Sequence, residues 1–387
     1  MLRVGSRFGR VEPRRRARAF VLGLLAELPR KNCWTIAEQA GDATPDGMQH
    51  LLARARWDAD GVRDDLRGYV TEYLGDPGTA GRIENAQVAV YLGYAAPAGH
   101  ALIDRELYLP RSWTGDPARC RAAGIPGGTA FATKPQLARR MIGRAVTAGV
   151  PFAWTAADEA YGDNGPLRAW LEDSQLRYVL AVSCDHRVPA GAGQVIRADE
   201  LAAGLPRRAW QRLSAGQGAK GCRYHDWAWM SISDSRPGYR WLLIRRTPRT
   251  GELAFYRCYA PHRVPLATLV KVAGRRWSIT VEENFQATKG LTGLDEHQVR
   301  RWTSWYRWAT LAMLAAAFLT IAAAGEHARQ PAPAGQIPLT RNEIAHLLAT
   351  LTSPARDTGY RLRWSRWRRR HQHRAQGCHY QRQSMRL

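Results

Sequence analysis

Apolar positions in the first part of the chain recur at helical spacing. Phe20, Leu24, Leu25 and Leu28 predict a helix over 11–28, with Pro13 in its first turn and Pro29 at its end. The stretch WTIAEQAGDATPDGMQHLLARARW (34–57) holds two shorter helical patterns on either side of a glycine. Thr35 and Glu38 have capping-box spacing, Gly41 suits a helix stop, and Thr44 and Pro45 read as cap and first position of the next helix. Met48, Leu51, Leu52 and Ala55 form the apolar stripe of that second helix, which leaves His50, Arg54 and Arg56 facing outward. Two short helices with a glycine-containing turn predict a helix-turn-helix; the alternative is an ordinary helical pair. Residues 60–73 predict a further amphipathic helix.

Beyond residue 85 the period changes. Val88, Val90 and Leu92 alternate as a strand over 86–95 does, Pro97-Ala98-Gly99 reads as a turn, and 101–109 as the partner strand. Asp104 and Glu106 are two apart and share a face. Pairing with local arginines such as Arg105 or Arg111 is the expectation for them; the alternative is a place near a metal. A helix follows over 134–148, with Thr133 as cap and Gly149 as stop. Residues 150–157 predict a short apolar strand with Asp158 at its C-terminal end, where open α/β sheets place their sites. The alternative role for Asp158 is to cap the next turn. A helix over 167–172 and a strand over 178–182 come next.

From 184 to 266, short β-rich runs (227–233, 241–246, 253–259) alternate with turns such as TPRTG. The run ATLAMLAAAFLTIAAA (309–324) is 16 residues long, below the roughly 20 needed to span a bilayer, and predicts a buried core helix. RQPAPAG (329–335) reads as a linker and 339–351 as a short helix. The tail RLRWSRWRRRHQHR (361–374) interleaves arginines with Trp364 and Trp367. That pattern suits phosphate contact and stacking, or else a solvated tail.

Charge narrows the class of partner. The 387 residues carry 57 Lys+Arg against 33 Asp+Glu, a formal net charge of +24. Such an excess predicts a polyanion, DNA or RNA, with an anionic membrane surface as runner-up. The six cysteines contain no CxxC pair, which argues against a disulfide framework or a zinc ribbon and fits a reducing cytosol. His371, His373, Cys378 and His379 lack a second pair at zinc spacing. No small-residue cleavage site follows the first apolar run, so no signal peptide is expected.

One stretch combines groups suited to chemistry on a phosphate: RRWSITVEENFQATKGLTGLDEHQVR (275–300). Glu282 and Glu283 stand just inside a helical pattern, and Lys289 follows Glu282 by seven residues, two turns along the same face. Phe285 shares part of that face and can anchor it to a core. A carboxylate suits a hard cation and a lysine a phosphate oxygen. The alternative is an exposed amphipathic helix with ordinary charges.

This stretch resembles the glutamate-bearing helix of bacterial insertion-sequence transposases with a DDE-type core. Further blocks are similar to the same family in the same order: GTAGRIENAQVAVYLGYA (78–95), IDRELYLPRSW (103–113), FATKPQLARRM (131–141), ADEAYGDNGPLRAWLE (157–172), YVLAV (178–182) and GLDEHQVRRWTSWYRW (293–308). The resemblance implies an α/β protein with an RNase H-like core, a helical N-terminal domain and a β-rich insertion. Its expected divisions are a helical domain over 1–74, core over 78–183, insertion over 184–266, core over 267–325, and a linker and basic tail over 326–387. It implies a transposase that cleaves and joins DNA with two Mg²⁺ or Mn²⁺ ions. Asp158 and Glu282 match the family's metal ligands and Lys289 its phosphate contact. Arg275, Arg276, Arg54 and Arg56 join Lys289 as expected DNA contacts. The expected partner is double-stranded DNA, at element ends and target, with self-association on DNA and no membrane; the expected location is the cytoplasm, on the nucleoid.

The chain departs from the family in two places. The family carries its first catalytic aspartate on a strand just before GTAGRIEN, whereas here Gly75-Asp76-Pro77 runs directly into Gly78. The strand, its aspartate and a basic hairpin are missing, so a gap beside the hairpin is expected and the copy reads as catalytically defective. The alternative is a non-cutting DNA-binding remnant or repressor. The family's signature of Tyr, two residues, Arg, three residues, Glu, six residues, Lys is also altered: Arg276 precedes Glu282 by six, and residue 273 is Ala.

Overall fold

The computed structural model describes residues 3–74, 79–86, 89–191, 194–218, 221–232, 235–278, 282–329, 336–352 and 357–384; within these, the backbone alone is described for 79–86, 191, 217–218, 275–278, 282–284 and 379–384. In chain order the elements are α1 (Val11–Leu25), α2 (Cys33–Ala40), α3 (Asp46–Ala53), α4 (Ala59–Leu74), β1 (Thr79–Ala86), β2 (Ala89–Ala96), β3 (Gly99–Leu107), α5 (Arg111–Thr114), α6 (Pro117–Ala123), α7 (Lys134–Thr147), β4 (Trp154–Ala157), α8 (Glu159–Gly162), α9 (Gly165–Asp173) and β5 (Tyr178–Val182). There follow β6 (Arg187–Gly191), β7 (Gln194–Arg197), α10 (Ala198–Ala203), β8 (Gln211–Gly218), β9 (Gly221–Ser231), β10 (Tyr239–Arg246), β11 (Leu253–Ala260), α11 (Leu266–Ser278), α12 (Glu282–Thr292), α13 (Trp302–Arg329), α14 (Arg341–Thr352) and α15 (Thr358–Ser384). The protein is thus mixed α/β, and it divides into two compact units. Unit 1 comprises Met1–Val62, Thr288–Ala315 and Ala332–Leu387; unit 2 comprises Arg63–Ala287 and Ala316–Pro331.

Unit 2 is built on a nine-stranded mixed sheet of order β3-β2-β1-β4-β5-β11-β10-β9-β8. β1 runs antiparallel to β2 and parallel to β4, and β4 runs parallel to β5. The expected gap beside the hairpin is not there. Thr79–Ala86, TAGRIENA, pairs with β2 from Thr79–Ala95 to Ala86–Ala89 and with β4 at Thr79–Trp154 and Ala80–Thr155. Strands β2 and β4 would otherwise each expose a row of backbone donors and acceptors inside the sheet, and the nearest segment with free backbone groups takes that place. Pro77 and Gly78, at the junction itself, lie outside the described residues.

The β-rich segment extends this same sheet, because β11 pairs with β5 from Phe255–Val182 to Tyr259–Tyr178. Both faces of that half are covered. Trp241 and Leu243 of β10 pack with Trp227, Tyr256 and Cys258 beneath Leu269, Val270 and Ala273 of α11. Leu242 and Ile244 face the opposite way, with Val182, Phe255 and Ala198. A strand buried on both faces reads as an unbroken apolar run, as Trp241–Ile244 does. Each fully buried large side chain there contributes about 1.5–3 kcal/mol.

Unit 1 gathers the N-terminal helices with the first half of α13, and it revises several sequence expectations. Helix α1 stops at Leu25, three residues before the expected end. The capping box of α2 is formed by Asn32 and Thr35 instead of Thr35 and Glu38: the Asn32 side chain accepts from Thr35 N at 3.1 Å, and Thr35 Oγ1 accepts from Asn32 N at 3.2 Å. Pro45 is the cap position of α3, which begins at Asp46. Gly41 closes α2 as expected, at φ 90°, a left-handed conformation that glycine adopts without steric cost. Met48, Leu51, Leu52 and Ala55 are buried as expected. The buried Arg307 of α13 donates to the carbonyls of Leu51, Leu52 and Ala55 at 3.3, 3.2 and 2.5 Å, satisfying the C-terminal end of α3.

Helix α13 is long and apolar enough to cross a membrane, and 67% of its most apolar window is buried inside the protein. Leu311, Ala312, Met313, Ala315, Ala317 and Leu319 are all buried, as a core helix requires.

Candidate functional site

Strand β4 is four buried residues, Trp154–Ala157, and Asp158 is the next. Asp158 is extended (φ −80°, ψ −176°) and starts α8, where one of its oxygens accepts from Ala160 N at 3.1 Å. The capping role weighed against a catalytic one is therefore present, and it engages Oδ1. The turn that carries Asp158 presses on the neighbouring strand: a Cβ at Gly162 would lie 1.7 Å from the Ala181 carbonyl oxygen. Only glycine permits that approach, so Gly162 of ADEAYGD is explained by packing.

The same end of the sheet holds a pair that the sequence reading missed. Asp163 accepts from Ser183 N at 3.2 Å and meets His186 Nδ1 at 2.7 Å. Burial, helped by the Arg168 and Arg257 guanidinium groups, holds the His186 pKa below its ordinary value against the pull of Asp163. The imidazole is accordingly neutral near pH 7, with Nδ1–H donating to the carboxylate. Its Nε2 is buried and has no hydrogen-bond partner among the described residues. Asp163 was visible as part of a motif, but His186 stands 23 positions on, and no periodicity connects a loop after β4 with a loop after β5.

Asp104 is a structural anion. It is fully buried on β3 and contacts Arg144 at 2.9 Å, Arg67 at 3.1 Å, Arg63 at 3.7 Å and its neighbour Arg105 at 3.9 Å. Glu106 pairs with Arg144 at 2.7 Å. Of the expected local partners only Arg105 takes part; the closest arginines come from α4 and α7, brought in by the fold. A carboxylate enclosed by guanidinium groups is a poor candidate for a metal ligand.

Glu282 is the first residue of α12, and Lys289 stands two turns further along the same helix, as the spacing predicted. Phe285 anchors that helix as expected: it is buried and meets Tyr91 of β2 edge-on at 5.2 Å. Arg275 and Arg276 lie in the last turn of α11, which ends at Ser278 and is a helix separate from α12. The side chains of Arg275, Arg276 and Glu282 lie outside the described residues. Asp158 and Glu282 both belong to unit 2, and Lys289 falls in unit 1 together with Arg54 and Arg56. His50, Arg54 and Arg56 are exposed. Among the described residues, no three His, Cys, Asp or Glu side chains gather as a metal site. The donors that the sequence nominates, Asp158 and Glu282, are carboxylates of the kind that hard divalent cations take.

A mixed sheet with an acidic residue just beyond an inner parallel strand defines an α/β protein; open α/β sheets place ligands beyond the carboxyl ends of their strands. The sequence over 3–80 and 77–219, more than half of its 387 residues, matches the family described as DDE superfamily endonuclease, and the chain belongs to that family. The two matched segments meet at 77–80. It is also similar to a probable transposase for insertion sequence element IS701 from Microchaete diplosiphon, 25% identical over 195 residues, which are 43% of this chain and 48% of that protein. The chain thus spans about half the length of that relative.

Proposed function

We propose that this protein is an insertion-sequence transposase by descent, with an RNase H-like core, and that the copy is catalytically defective. The observation that carries the reading is Asp158, at the C-terminal end of β4 in a chain of the DDE superfamily endonuclease family. The sheet order β3-β2-β1-β4-β5, with β2 antiparallel to β1 and β4 parallel to it, supports the RNase H-like assignment. Asp158 and Glu282 would hold the divalent cation, Mg²⁺ or Mn²⁺, and Lys289 would meet a phosphate. When bound, such ions clamp the attacking and leaving oxygens of an in-line displacement. The helix pair α2–α3, through Arg54 and Arg56, and Arg275, Arg276 would contact duplex DNA on the nucleoid, in the cytoplasm.

Thr79–Ala86 favours the defective copy, and with it the reading of a non-cutting DNA-binding remnant or repressor. This segment contains no aspartate, and it occupies the strand between β2 and β4. The family match, broken at 77–80, supports a missing stretch at the same place. Two carboxylates offset less of the charge of two cations than three do, so one ion would be held weakly.

The test has two arms, both with the full chain. Binding to duplexes carrying the element's own ends is titrated from 50 to 200 mM salt; six to ten phosphate contacts would weaken it about 10³- to 10⁵-fold. No binding, or a flat salt response, overturns the transposase reading. Cleavage of those ends is then assayed with Mg²⁺ and Mn²⁺ beside Asp158→Ala. Efficient cleavage that requires Asp158 overturns the defective-copy reading.

A further inference from the structure

The basic tail forms a helix, α15, with two distinct faces. Tyr360, Trp364, Trp367 and His371 recur at i, i+4, i+7 and i+11, which is one stripe of a helix. That stripe is docked on the helix pair. Tyr360 Oη donates to the carbonyls of Glu38 at 2.6 Å and Asp42 at 3.1 Å. Trp364, 1% exposed, donates through Nε1 to Asp42 O at 2.9 Å. Trp367 and His371 meet the ring of Trp34 at 4.8 and 4.6 Å, and Arg368 donates to Glu38 at 2.6 Å. Asp42 lies in the turn between α2 and α3, so the tail grips the turn itself. Both tryptophans are spent on this contact, which removes them as stacking platforms for bases.

The arginines do the opposite. Arg363, Arg366, Arg369 and Arg370 are exposed. At about 100° per residue they fall within an arc of roughly 120° and span roughly 10 Å of helix axis. Among the described residues, Arg366, Arg369 and Arg370 have no acidic partner, and no Asp or Glu follows Asp357 in the chain. Like charges at three and four residues oppose each other on a free helix, so the face is complementary to an external polyanion. A DNA strand presents a phosphate every 3.4 Å of axis, so about three phosphates match its length.

We propose that α15 is a phosphate-binding arm fixed to the α2–α3 helix pair, whose Arg363–Arg370 face holds the backbone of duplex DNA without reading its sequence. The inference rests on the DNA-binding reading above. Phosphate contacts position a protein on the duplex and carry no base information.

The experiment compares the full chain with Arg366→Gln/Arg369→Gln/Arg370→Gln and with Trp364→Ala, on a mixed-sequence duplex of about 30 base pairs, by the slope of log affinity against log salt. The triple variant is expected to lose about 2–3 from the slope and at least about tenfold in affinity at 0.1 M salt, equally on unrelated sequences. Trp364→Ala, which undocks the arm, is expected to lose a similar share while its far-ultraviolet circular dichroism stays near the parent's. Binding by all three chains with one unchanged slope overturns this inference and leaves the DNA-binding reading standing. A full slope in Trp364→Ala with a reduced one in the triple variant overturns the need for docking. No binding by the unmodified chain overturns both readings together.

Discussion

Phe285 meets Tyr91 edge to face, with ring centroids 5.2 Å apart and planes at 80°, and this contact ties the helix that begins at Glu282 to strand β2. Phe285 is 6% exposed, and its ring lies one turn beyond Glu282. Phe285→Ala is expected to cost about 3–5 kcal/mol of stability, the sum of lost burial and an unfilled cavity, and Phe285→Leu much less. Urea denaturation of the two variants checks this. Equal midpoints for Phe285→Ala and the parent would show that α12 is not anchored there.

Gly162 and Gly143 make opposite predictions for the same substitution. A Cβ at Gly162 would lie 1.7 Å from a backbone oxygen that cannot rotate away, so Gly162→Ala must displace the Asp158 turn or β5. The expected loss is about 1–3 kcal/mol or more. Gly143 sits inside α7 with nothing within 4 Å, so Gly143→Ala is expected to gain about 0.5–1 kcal/mol. Thermal melts of both variants decide it, and a tolerated alanine at 162 removes the close packing of this turn.

His186 makes stability depend on pH in a definite direction. Its folded-state pKa lies below the ordinary 6.5, chiefly through burial and then through Arg168 and Arg257. Below pH 6.5 the unfolded chain binds a proton that the folded chain takes up only at lower pH. The stability contributed by the neutral ring is therefore intact above that pH and declines as the pH falls toward the folded-state pKa. His186→Asn keeps a donor for Asp163 and removes the titration. Between pH 7 and pH 5 the parent is expected to lose more stability than this variant. His225 and His297 also have lowered pKa values and contribute equally to both curves, so the difference isolates His186. Parallel curves would exclude the buried neutral imidazole.

Local pattern carried much of this architecture. The apolar stripe of α3, the hairpin turn at Pro97-Ala98, the anchor at Phe285 and a strand stopping just before Asp158 follow from periodicity and turn chemistry, although that strand is Trp154–Ala157 and not the expected 150–157. What stayed hidden depends on contacts between distant segments. Asp104 selects Arg67 and Arg144 across 37 and 40 positions, and its neighbour Arg105 lies further away. Trp364 and Trp367 looked like platforms for bases because sequence shows the stripe but not the helix it lies on. The pairing of His186 with Asp163 needs two loops at one end of a sheet, which no local signal encodes.

The central strand offers the sharpest test of the proposal that a segment is missing before Gly78. Thr79–Ala86 pairs with β2 along its length and with β4 at Thr79 and Ala80. If it holds that position in solution, its ladder amides are slowed in hydrogen exchange on the order of 10³-fold, since a strand inside a sheet opens only at a cost of about 4 kcal/mol. A sheet has room for one strand between β2 and β4. An aspartate-bearing strand and hairpin, inserted between Pro77 and Gly78 as the family arranges them, is expected to take that place and expel Thr79–Ala86. Its amides then exchange fast, and cleavage of cognate ends with Mg²⁺ or Mn²⁺ appears and disappears again with Asp158→Ala. Fast exchange over 79–86 in the unmodified chain would rule out the central placement. Protection of that segment in both chains, with no cleavage in either, would show that the inserted strand fails to displace it and would overturn the proposal that a missing aspartate strand alone accounts for a defective copy.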